Sequence, residues 1–453
     1  IERLSPEEVF AKPQHGNGVW APSIRFHNGE FYIYYGDPDY GVYMTKTRNP
    51  SGEWEKPVLV KKGKGLIDAC PFWDNDGNVY LVHAFAGSRA GIKSVIAITR
   101  LTHDGKQAIG ESKIVYDGHD DDETIEGPKL YKRNGFYYIF APAGGVATGW
   151  QTVLRSENIY GPYERKVVMH QGNTTINGPH QGAWVDTPSG EDWFIHFQDA
   201  GAYGRIIHLQ PMVWKNEWPV IGEDKDGDGC GEPVLSYRKP NVGAVFPPEL
   251  PADSDEFSEN RLGLQWQWHA NTGEGWYFTD AAKGVLKLFS VPVSDDYKNL
   301  WDVPNLLLQK FPAQEFKVET KVAFFPNPRI KGEKAGLVVM GLDYAALTIE
   351  STDKGLILSQ ITCIDAENGK PETINESVNL SSSTVYLAVS VSKGAICTFS
   401  YSVDGKKYRT LGKPFTAKEG KWIGAKVGYF CTRPVKNNDG GRLEADWFRI
   451  KRE

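Results

Sequence analysis

The sequence has few cysteines, no long hydrophobic run and no basic cluster. Its five cysteines include no Cys-x-x-Cys pair, so a zinc site is not indicated, and their odd number leaves at least one thiol free. No apolar stretch approaches the roughly 20 residues of a membrane span, and no signal peptide is visible. The formal net charge of −6 argues against nucleic acid or an anionic membrane as the main partner.

Helical periodicity is almost absent, whereas aromatic and turn-forming residues are abundant. The 14 Trp, 21 Tyr and 21 Phe favour strands and can also supply stacking surfaces for sugar rings. The 48 Gly and 27 Pro provide turns for many short strands. A length of 453 residues exceeds one ordinary core and predicts two domains.

A turn followed by an aromatic strand occurs four times in the first half of the sequence. The strands are Phe31–Tyr35, Val79–His83, Phe136–Phe140 and Trp193–Phe197, each preceded by a turn glycine: Gly29, Gly77, Gly135 and Gly190. These glycines lie roughly 50 to 60 residues apart, enough for a four-stranded unit. The pattern predicts a β-propeller with irregular blades over residues 1–240 and is too irregular for a solenoid.

The character of the sequence changes near residue 240. Four prolines and the acidic run 253–256 are typical of a linker. Beyond it, polar and apolar residues alternate in several segments, including Phe316–Val322, Ala345–Glu350 and Thr384–Val391. Alternation with a period of two indicates half-buried strands, so residues 250–453 are predicted to form an antiparallel β-sandwich.

Two acidic residues lie at equivalent points of successive repeats. Asp68 and Glu126 each precede their turn glycine by about nine residues, and Trp20 and His180 lie at nearly the same position of the two other repeats. A propeller would bring all four side chains to one funnel. An acid pair, an imidazole and an aromatic ring there would suit sugar cleavage. Surface carboxylates at strand ends are an equally weighted alternative.

Several motifs taken together resemble glycoside hydrolase family 43 over residues 15–240. They are Gly18–Ser23, Gly65–Phe72 with Asp74–Gly77, Ile125–Pro128, Ile159–Tyr163, and Gly204-Arg205 followed by Trp214. The C-terminal part resembles the concanavalin A-like sandwich of the β-xylosidase and α-L-arabinofuranosidase branches. The resemblance implies an all-β protein, with a five-bladed propeller whose first blade is incomplete in this sequence, followed by the sandwich.

The resemblance also implies roles for the two carboxylates. Glu126 would be the general acid of an inverting reaction, and Asp68 would orient it and raise its pKa by like-charge repulsion. The family's third carboxylate, the general base, has no match here, because the pattern places it upstream of Ile1. We expect either a blade segment outside this sequence, which the four visible repeats favour, or a protein without the usual base. Asp37-Pro38-Asp39 imitates the base motif but follows the wrong strand, so we expect a solvated loop there.

Further site residues follow from the same resemblance. Arg205 would bind the sugar through its paired donors, and Trp20, Phe72 and Trp150 are candidate stacking surfaces, although core packing explains Phe72 equally well. His180 would lie on the propeller axis and help to hold a hydrated structural calcium ion, or be an ordinary core histidine. No cofactor is expected for the chemistry.

The segment Asp224–Gly229 resembles half of an EF-hand loop. Its twelfth position is Leu235 rather than glutamate, and no helices flank it. A tight acidic turn is the favoured interpretation, with a loop-bound cation as the alternative.

The sequence thus predicts an exo-acting inverting glycosidase that removes terminal α-L-arabinofuranosyl, or β-D-xylosyl, groups from arabinoxylan, xyloglucan or arabinan side chains. Arabinose is slightly favoured. A catalytically inactive carbohydrate-binding protein on the same fold is the alternative, supported by the missing base. A fructan-active retaining enzyme is disfavoured because no nucleophile motif matches. The substrate class suggests a secreted or periplasmic protein.

Overall fold

The computed structural model describes residues 4–452, and this part of the chain consists almost entirely of β-strands. Its three α-helices have four residues each: α1 (Glu7–Phe10), α2 (Gly87–Ala90) and α3 (Gly145–Thr148). Three further turns are 3₁₀-helical: Gly201–Tyr203, Leu300–Asp302 and Ala366–Asn368. Among the described residues, no helix is long and apolar enough to cross a membrane.

The chain forms two compact units. One contains residues 17–199 and 205–247, and the other contains residues 4–16, 200–204 and the stretch from 248 onward. The predicted boundaries place residues 4–16 in the first domain, but hydrogen bonds tie this segment to the second unit. Asn271 donates its backbone N–H to the Phe10 carbonyl oxygen at 2.7 Å, and it accepts from the Leu4 N–H through its side chain at 2.8 Å.

The first unit contains four antiparallel sheets of four strands. Their strands are β1 (Trp20–His27), β2 (Glu30–Asp37), β3 (Gly41–Thr47), β4 (Val58–Lys62); β5 (Leu66–Trp73), β6 (Val79–Phe85), β7 (Val95–Leu101), β8 (Ala108–Asp117); β9 (Lys129–Arg133), β10 (Phe136–Ala143), β11 (Trp150–Ser156), β12 (Glu164–His170); β13 (His180–Asp186), β14 (Asp192–Asp199), β15 (Arg205–Lys215) and β16 (Trp218–Ile221). Each sheet follows chain order, as in a propeller blade. The predicted propeller is therefore confirmed with four blades in the described residues.

The predicted aromatic segments form the second strand of each blade, namely β2, β6, β10 and β14. Two of the predicted turns are two-residue hairpins in which both residues have positive φ. Asn28 and Gly29 have φ values of 48° and 79°, and Asn134 and Gly135 have values of 50° and 86°. Asn-Gly adopts this conformation more readily than other dipeptides, which explains why the sequence marks these hairpins so clearly.

The second unit is a β-sandwich of two large sheets, as predicted, and they are antiparallel except that the short strand β20 pairs with β31 in parallel. Its strands are β17 (Gln267–Trp268), β18 (Tyr277–Asp280), β19 (Val285–Phe289), β20 (Val291–Pro292), β21 (Leu307–Lys310), β22 (Phe316–Phe325), β23 (Lys334–Met340), β24 (Tyr344–Thr352), β25 (Gly355–Cys363), β26 (Thr373–Leu380), β27 (Thr384–Ser392), β28 (Ile396–Ser402), β29 (Arg409–Thr410), β30 (Phe415–Thr416), β31 (Lys426–Arg433) and β32 (Arg442–Arg452). The predicted alternating segments lie in β22, β24 and β27. Inward residues of β22, such as Val318 and Val322, are fully buried.

All five cysteines are free, and four of them are buried. The expectation of at least one free thiol is therefore confirmed.

Candidate active site

A residue with positive φ lies near the start of each blade's first strand. Ala21, Asp68, Gly127 and Gln181 all have positive φ, at 29°, 58°, 63° and 50°. In β1, β5 and β13 these residues coincide with a shift in strand register, the signature of a β-bulge. Bulges turn side chains away from the normal alternation, so they gather the starts of the inner strands into one site.

Relative to the positive-φ residue of each blade, Asp68 is shifted by one position from the other predicted site residues. Trp20, Glu126 and His180 immediately precede the positive-φ residue of their blades, whereas Asp68 is that residue itself. Aspartate tolerates this left-handed conformation better than most residues. Because of this shift, the Asp68 carboxylate points toward Gly127 and Gln181, the positive-φ residues of the next two blades. It does not point in the same direction as the Glu126 carboxyl.

Asp68 is 3% exposed and is held by direct hydrogen bonds. Its Oδ2 accepts the backbone N–H of Gly127 at 2.7 Å and the side-chain amide of Gln181 at 3.1 Å. Burial raises the pKa of the Asp68 carboxyl, while the charges of Lys129 and Arg205 and these two hydrogen bonds act in the opposite direction. The surroundings therefore provide specific stabilisation for an ionised Asp68.

Glu126 lies next to Asp68, but its surroundings favour the protonated form of the carboxyl. Its side chain is 34% exposed, so it is accessible to solvent, but protein atoms surround it closely. Burial and, next, the charge of Asp68 raise the pKa of the Glu126 carboxyl to about 8, with Arg205 opposing them. Of the two carboxyls, Asp68 has the direct donors and ionises first. Glu126 consequently remains protonated at neutral pH and can donate a proton.

His180 lies beside Glu126 in a buried position. Its Nε2 is 3.4 Å from Glu126 Oε1, outside hydrogen-bond geometry, and neither ring nitrogen has a hydrogen-bond partner among the described residues. Burial, followed by the charges of Arg205 and Lys129, lowers the pKa of His180 to about 3. The imidazole is therefore neutral, and water could satisfy its nitrogens.

A calcium ion beside His180 fits these residues poorly. Calcium takes six to eight oxygen ligands. Within the described part of the chain, no group of three potential ligating side chains includes His180. The nearest carboxyl belongs to Glu126, which is protonated, and two cationic side chains act on the imidazole. The described side chains thus supply neither the negative charge nor the oxygens that a divalent ion prefers, and nearly all of its ligands would have to be water.

Arg205 begins β15 and is exposed, with its guanidinium 4.7 Å from the ring centre of Phe197. Phe197 pairs with His180 in the β13–β14 register, and their rings are 5.6 Å apart. The charge of Arg205 acts on Asp68, Glu126 and His180 alike. The structure therefore brings Arg205 to the same site, with its donors available to a ligand.

Trp20 and Trp150 are half-buried residues at the start of β1 and β11. Arg89 lies 5.9 Å from the Trp20 ring centre, within cation–π range. The Trp150 indole donates to Asp122 at 2.9 Å and packs over Gly144, where an added Cβ would lie only 2.5 Å from the ring. The Trp150 ring is thus held rigidly beside the segment that leads to Glu126, as a stacking surface requires.

Phe72 is not brought to this site. It lies four residues beyond Asp68 on β5, or about 13 Å along a strand. Its ring contacts Tyr137 of the next blade edge to face, at 6.3 Å, and packs on the core between the blades. The core-packing alternative therefore describes Phe72, and the predicted stacking role has no geometric support.

The expectation of a solvated loop at Asp37-Pro38-Asp39 is wrong for Asp37. Asp37 ends β2, is 4% exposed and accepts the Asp39 backbone N–H at 3.0 Å. Burial raises the pKa of its carboxyl to about 6. Asp39 forms an ion pair with Arg89 at 2.9 Å. Because the Asp37 carboxyl closes a turn and is inaccessible, it cannot activate water for attack on a bound sugar.

The acidic loop at 224–229 forms a compact turn. The carboxylates of Asp224, Asp226 and Asp228 lie within 4.8 Å of one another. Asp224 accepts the backbone N–H groups of Gly227 and Gly229 at 2.8 and 3.2 Å. These bonds satisfy the carboxylate within the loop, consistent with the predicted acidic turn.

Sequence reasoning missed Gln181, Gly127 and Lys129, which surround Asp68. Lys129 donates to the Gly127 carbonyl oxygen at 3.1 Å, and Gly127 donates in turn to Asp68. A Cβ on Gly127 would lie 2.8 Å from Gln181 Oε1, so only glycine fits this position without displacement. An alignment of the repeats on their positive-φ residues, rather than on their turn glycines, would have placed Asp68 at the same position as Gly127 and Gln181.

Comparison with known proteins agrees with this architecture. Residues 2–219 match the glycosyl hydrolases family 43, and residues 254–451 match the beta xylosidase C-terminal concanavalin A-like domain. A putative beta-xylosidase of Xylanibacter ruminicola is 40% identical over 424 residues, which cover 93% of this chain and 75% of that protein. A non-reducing end alpha-L-arabinofuranosidase of Bacteroides ovatus is 26% identical over 72% of this chain and 61% of its own length.

The fold has a close counterpart among solved structures. A xylan beta-1,4-xylosidase from Bacillus halodurans superposes with a TM-score of 0.85 at 22% identity, covering 99% of this chain and 90% of that one. These matches, together with a propeller that holds Glu126 beside the buried Asp68 and a C-terminal sandwich, identify a glycoside hydrolase. The chain belongs to the glycosyl hydrolases family 43.

Proposed function

We propose that the protein is an exo-acting, inverting glycosidase that removes terminal β-D-xylosyl or α-L-arabinofuranosyl groups. The observation that carries this proposal is the pair formed by Glu126 and Asp68, in which Glu126 has a pKa of about 8. A protonated carboxyl is the group that protonates a departing glycosidic oxygen. The names of the relatives support a pentosyl substrate, and the 40% identical relative favours xylosyl over the arabinosyl preference drawn from sequence.

In this proposal Glu126 donates its proton to the leaving oxygen. Asp68 stays ionised, which keeps the proton on Glu126 until the bond to the sugar breaks. Arg205 hydrogen-bonds the sugar, and Trp20 and Trp150 form its apolar walls. Inversion also requires a base that activates water on the opposite face of the sugar. We assign none of the described residues to that role.

We also propose that a fifth blade completes the propeller. Ile24 and Phe26 on β1 are 53% and 63% exposed, and Ile207 on β15 is 68% exposed. On the fourth blade, Phe194 stacks on the third, so the adjacent Ile195 and its neighbours face the other way. Apolar faces on both outer blades favour a further sheet between them.

Charged substitutions test the fifth blade. In the full-length protein, Phe26→Asp and Ile207→Asp should each lower the melting temperature if a sheet covers them. Val403→Asp, at a similarly exposed sandwich residue, should leave it unchanged. Equal tolerance of all three substitutions would contradict a covering sheet.

Fragments of arabinoxylan, xyloglucan or arabinan side chains are the proposed natural substrates. The site supports this class through its combination of an acid, a guanidinium and aromatic surfaces. Such polymers lie outside the cell, which favours a secreted or periplasmic location, and cell fractionation with activity assays would test this.

The activity test uses the full-length protein with p-nitrophenyl xyloside, p-nitrophenyl arabinofuranoside and natural oligosaccharides. Glu126→Gln should lower kcat on the oligosaccharides by roughly 10²- to 10⁴-fold, because their leaving groups need protonation. Glu123→Gln is the matched control, since Glu123 lies three residues away with 71% of its side chain exposed. Unchanged activity of Glu126→Gln on poor leaving groups would remove Glu126 from the mechanism.

The same samples test the inactive alternative and the stereochemistry. An inactive binding protein would show equal, background rates for the wild type and Glu126→Gln on every substrate. Proton NMR of the first product formed distinguishes inversion from retention at the anomeric carbon, and retention would exclude the proposed mechanism.

A further inference from the structure

Lys129 is a buried lysine on the innermost strand of the third blade. It is 5% exposed, and its Nζ donates to the Gly127 carbonyl oxygen at 3.1 Å. No carboxylate of the described residues lies within ion-pair distance of its Nζ. An isolated buried ammonium is strongly unfavourable, so its charge needs an electrostatic partner. Burial lowers the pKa of Lys129, whereas Cys70 and, after it, Asp68 act in the opposite direction.

The innermost strands of all four blades contribute groups around Lys129. Arg25 comes from β1, Asp68 and Cys70 from β5, and His180 from β13, with Tyr131 on the same strand as Lys129. Arg25 is half-buried and lies 4.7 Å from the Tyr131 ring centre. Two cations, one neutral imidazole and one carboxylate therefore share this region, which already carries excess positive charge.

Lys129 and Asp68 hold opposite sides of Gly127. Lys129 binds the Gly127 carbonyl oxygen, while the Gly127 N–H binds Asp68 Oδ2 at 2.7 Å. Gly127 directly follows Glu126 and has a φ of 63°. The lysine thus fixes the backbone that carries Glu126 and places an ammonium group in the same buried region as Asp68.

We propose that Lys129 is a positioning residue that supplies the positive charge on the propeller axis, so that a divalent metal ion at His180 is not required. The inference rests on the proposed function of Glu126 and Asp68. In this role the ammonium stabilises ionised Asp68 and the backbone turn at Gly127, and it is built into the chain rather than acquired from solution.

The activity experiment compares Lys129→Met, Lys129→Arg and Lys132→Met in the full-length protein. Lys132 lies on the same strand but pairs with Asp74 at 2.7 Å, away from Asp68. Lys129→Met should lower kcat at least about tenfold with little change in KM, and should move the acidic limb of the pH–rate profile upward by about one unit, because Asp68 then ionises less readily. Lys129→Arg should recover part of the lost kcat and should reverse part of the shift of the acidic limb. Lys132→Met should lower only the melting temperature.

The metal experiment uses the wild type and does not depend on any variant folding. Its melting temperature should be the same in calcium chloride and in EDTA. A rise in melting temperature with calcium that His180→Ala abolishes would overturn the inference. So would a pH–rate profile in which the acidic limb of Lys129→Met lies at the same pH as that of Lys132→Met. A wild type inactive on all pentosides would instead overturn the proposed function, whereas the calcium comparison would still test whether a metal ion is required.

Discussion

Replacing Asp68 by asparagine should reveal how much of the acidity of Glu126 depends on one neighbouring charge. The substitution keeps the size of the side chain and an oxygen that can accept the Gly127 N–H, which now binds Asp68 at 2.7 Å. It removes the negative charge. Burial, the larger cause of the raised Glu126 pKa, remains in place.

The expected shift follows from the electrostatics of the pair. For two carboxylates at about 6 Å, the outer end of the range over which neighbouring charges shift a pKa, an effective dielectric constant of about 20 gives a repulsion of about 3 kcal/mol. This energy corresponds to roughly two pKa units. The pKa of Glu126 should therefore fall from about 8 to about 6 in Asp68→Asn.

The pH dependence of kcat measures this shift. Activity requires protonated Glu126, so the wild-type rate should fall as the pH rises through about 8, and the basic limb of Asp68→Asn should lie roughly two units lower. Asp74→Asn is the control, because Asp74 is also buried but pairs with Lys132 at 2.7 Å. A basic limb that stays in place, or moves upward, in Asp68→Asn would refute the like-charge explanation.

Three further predictions concern the support of the site and the sandwich. Asp122→Asn should destabilise the fold by about 3–5 kcal/mol in chemical denaturation, because it leaves Arg165 without its buried partner. Folding lowers the pKa of Asp122 from 3.8 to about 2, so ionised Asp122 stabilises the folded state by about 2 kcal/mol above pH 3.8. This stabilisation is lost as the pH falls through about 2. The variant should therefore lack this loss of stability in acid. Gly127→Ala should lower both stability and kcat, whereas Gly135→Ala, also at positive φ but with open space around it, should lose only about 1–2 kcal/mol and keep wild-type kcat. Phe448→Ala should cost about 3–5 kcal/mol of unfolding free energy by opening a cavity in the fully buried sandwich core, and a smaller loss would mean that the core collapses around it.

Local patterns sufficed for much of the fold. The Asn-Gly turns and aromatic segments predicted β2 and β10 because positive φ and strand propensity are properties of a few adjacent residues. Alternation likewise predicted β22, β24 and β27. The motif around Glu126 indicated the family, which the comparisons confirm. The count of five blades stays a proposal.

Long-range geometry decided the details of the site. The conformation of Asp68 depends on a bulge, and its partners Gly127 and Gln181 come from other blades. Phe72 and Asp37 are buried by contacts with residues distant in sequence, which no local pattern encodes. The roles assigned to Glu126, Arg205 and the tryptophans stay predictions until the variants are measured.

The sequence by itself determined which residues form strands, where the hairpins turn and that Glu126 and Asp68 are the carboxylates to compare, because turn chemistry, alternation and motifs are local. Only the tertiary structure decided that Glu126 keeps its proton, since its pKa depends on burial and on charges that other blades supply. The same holds for Lys129, which is an ordinary basic residue in the sequence and becomes a buried axial charge only when four strands surround it.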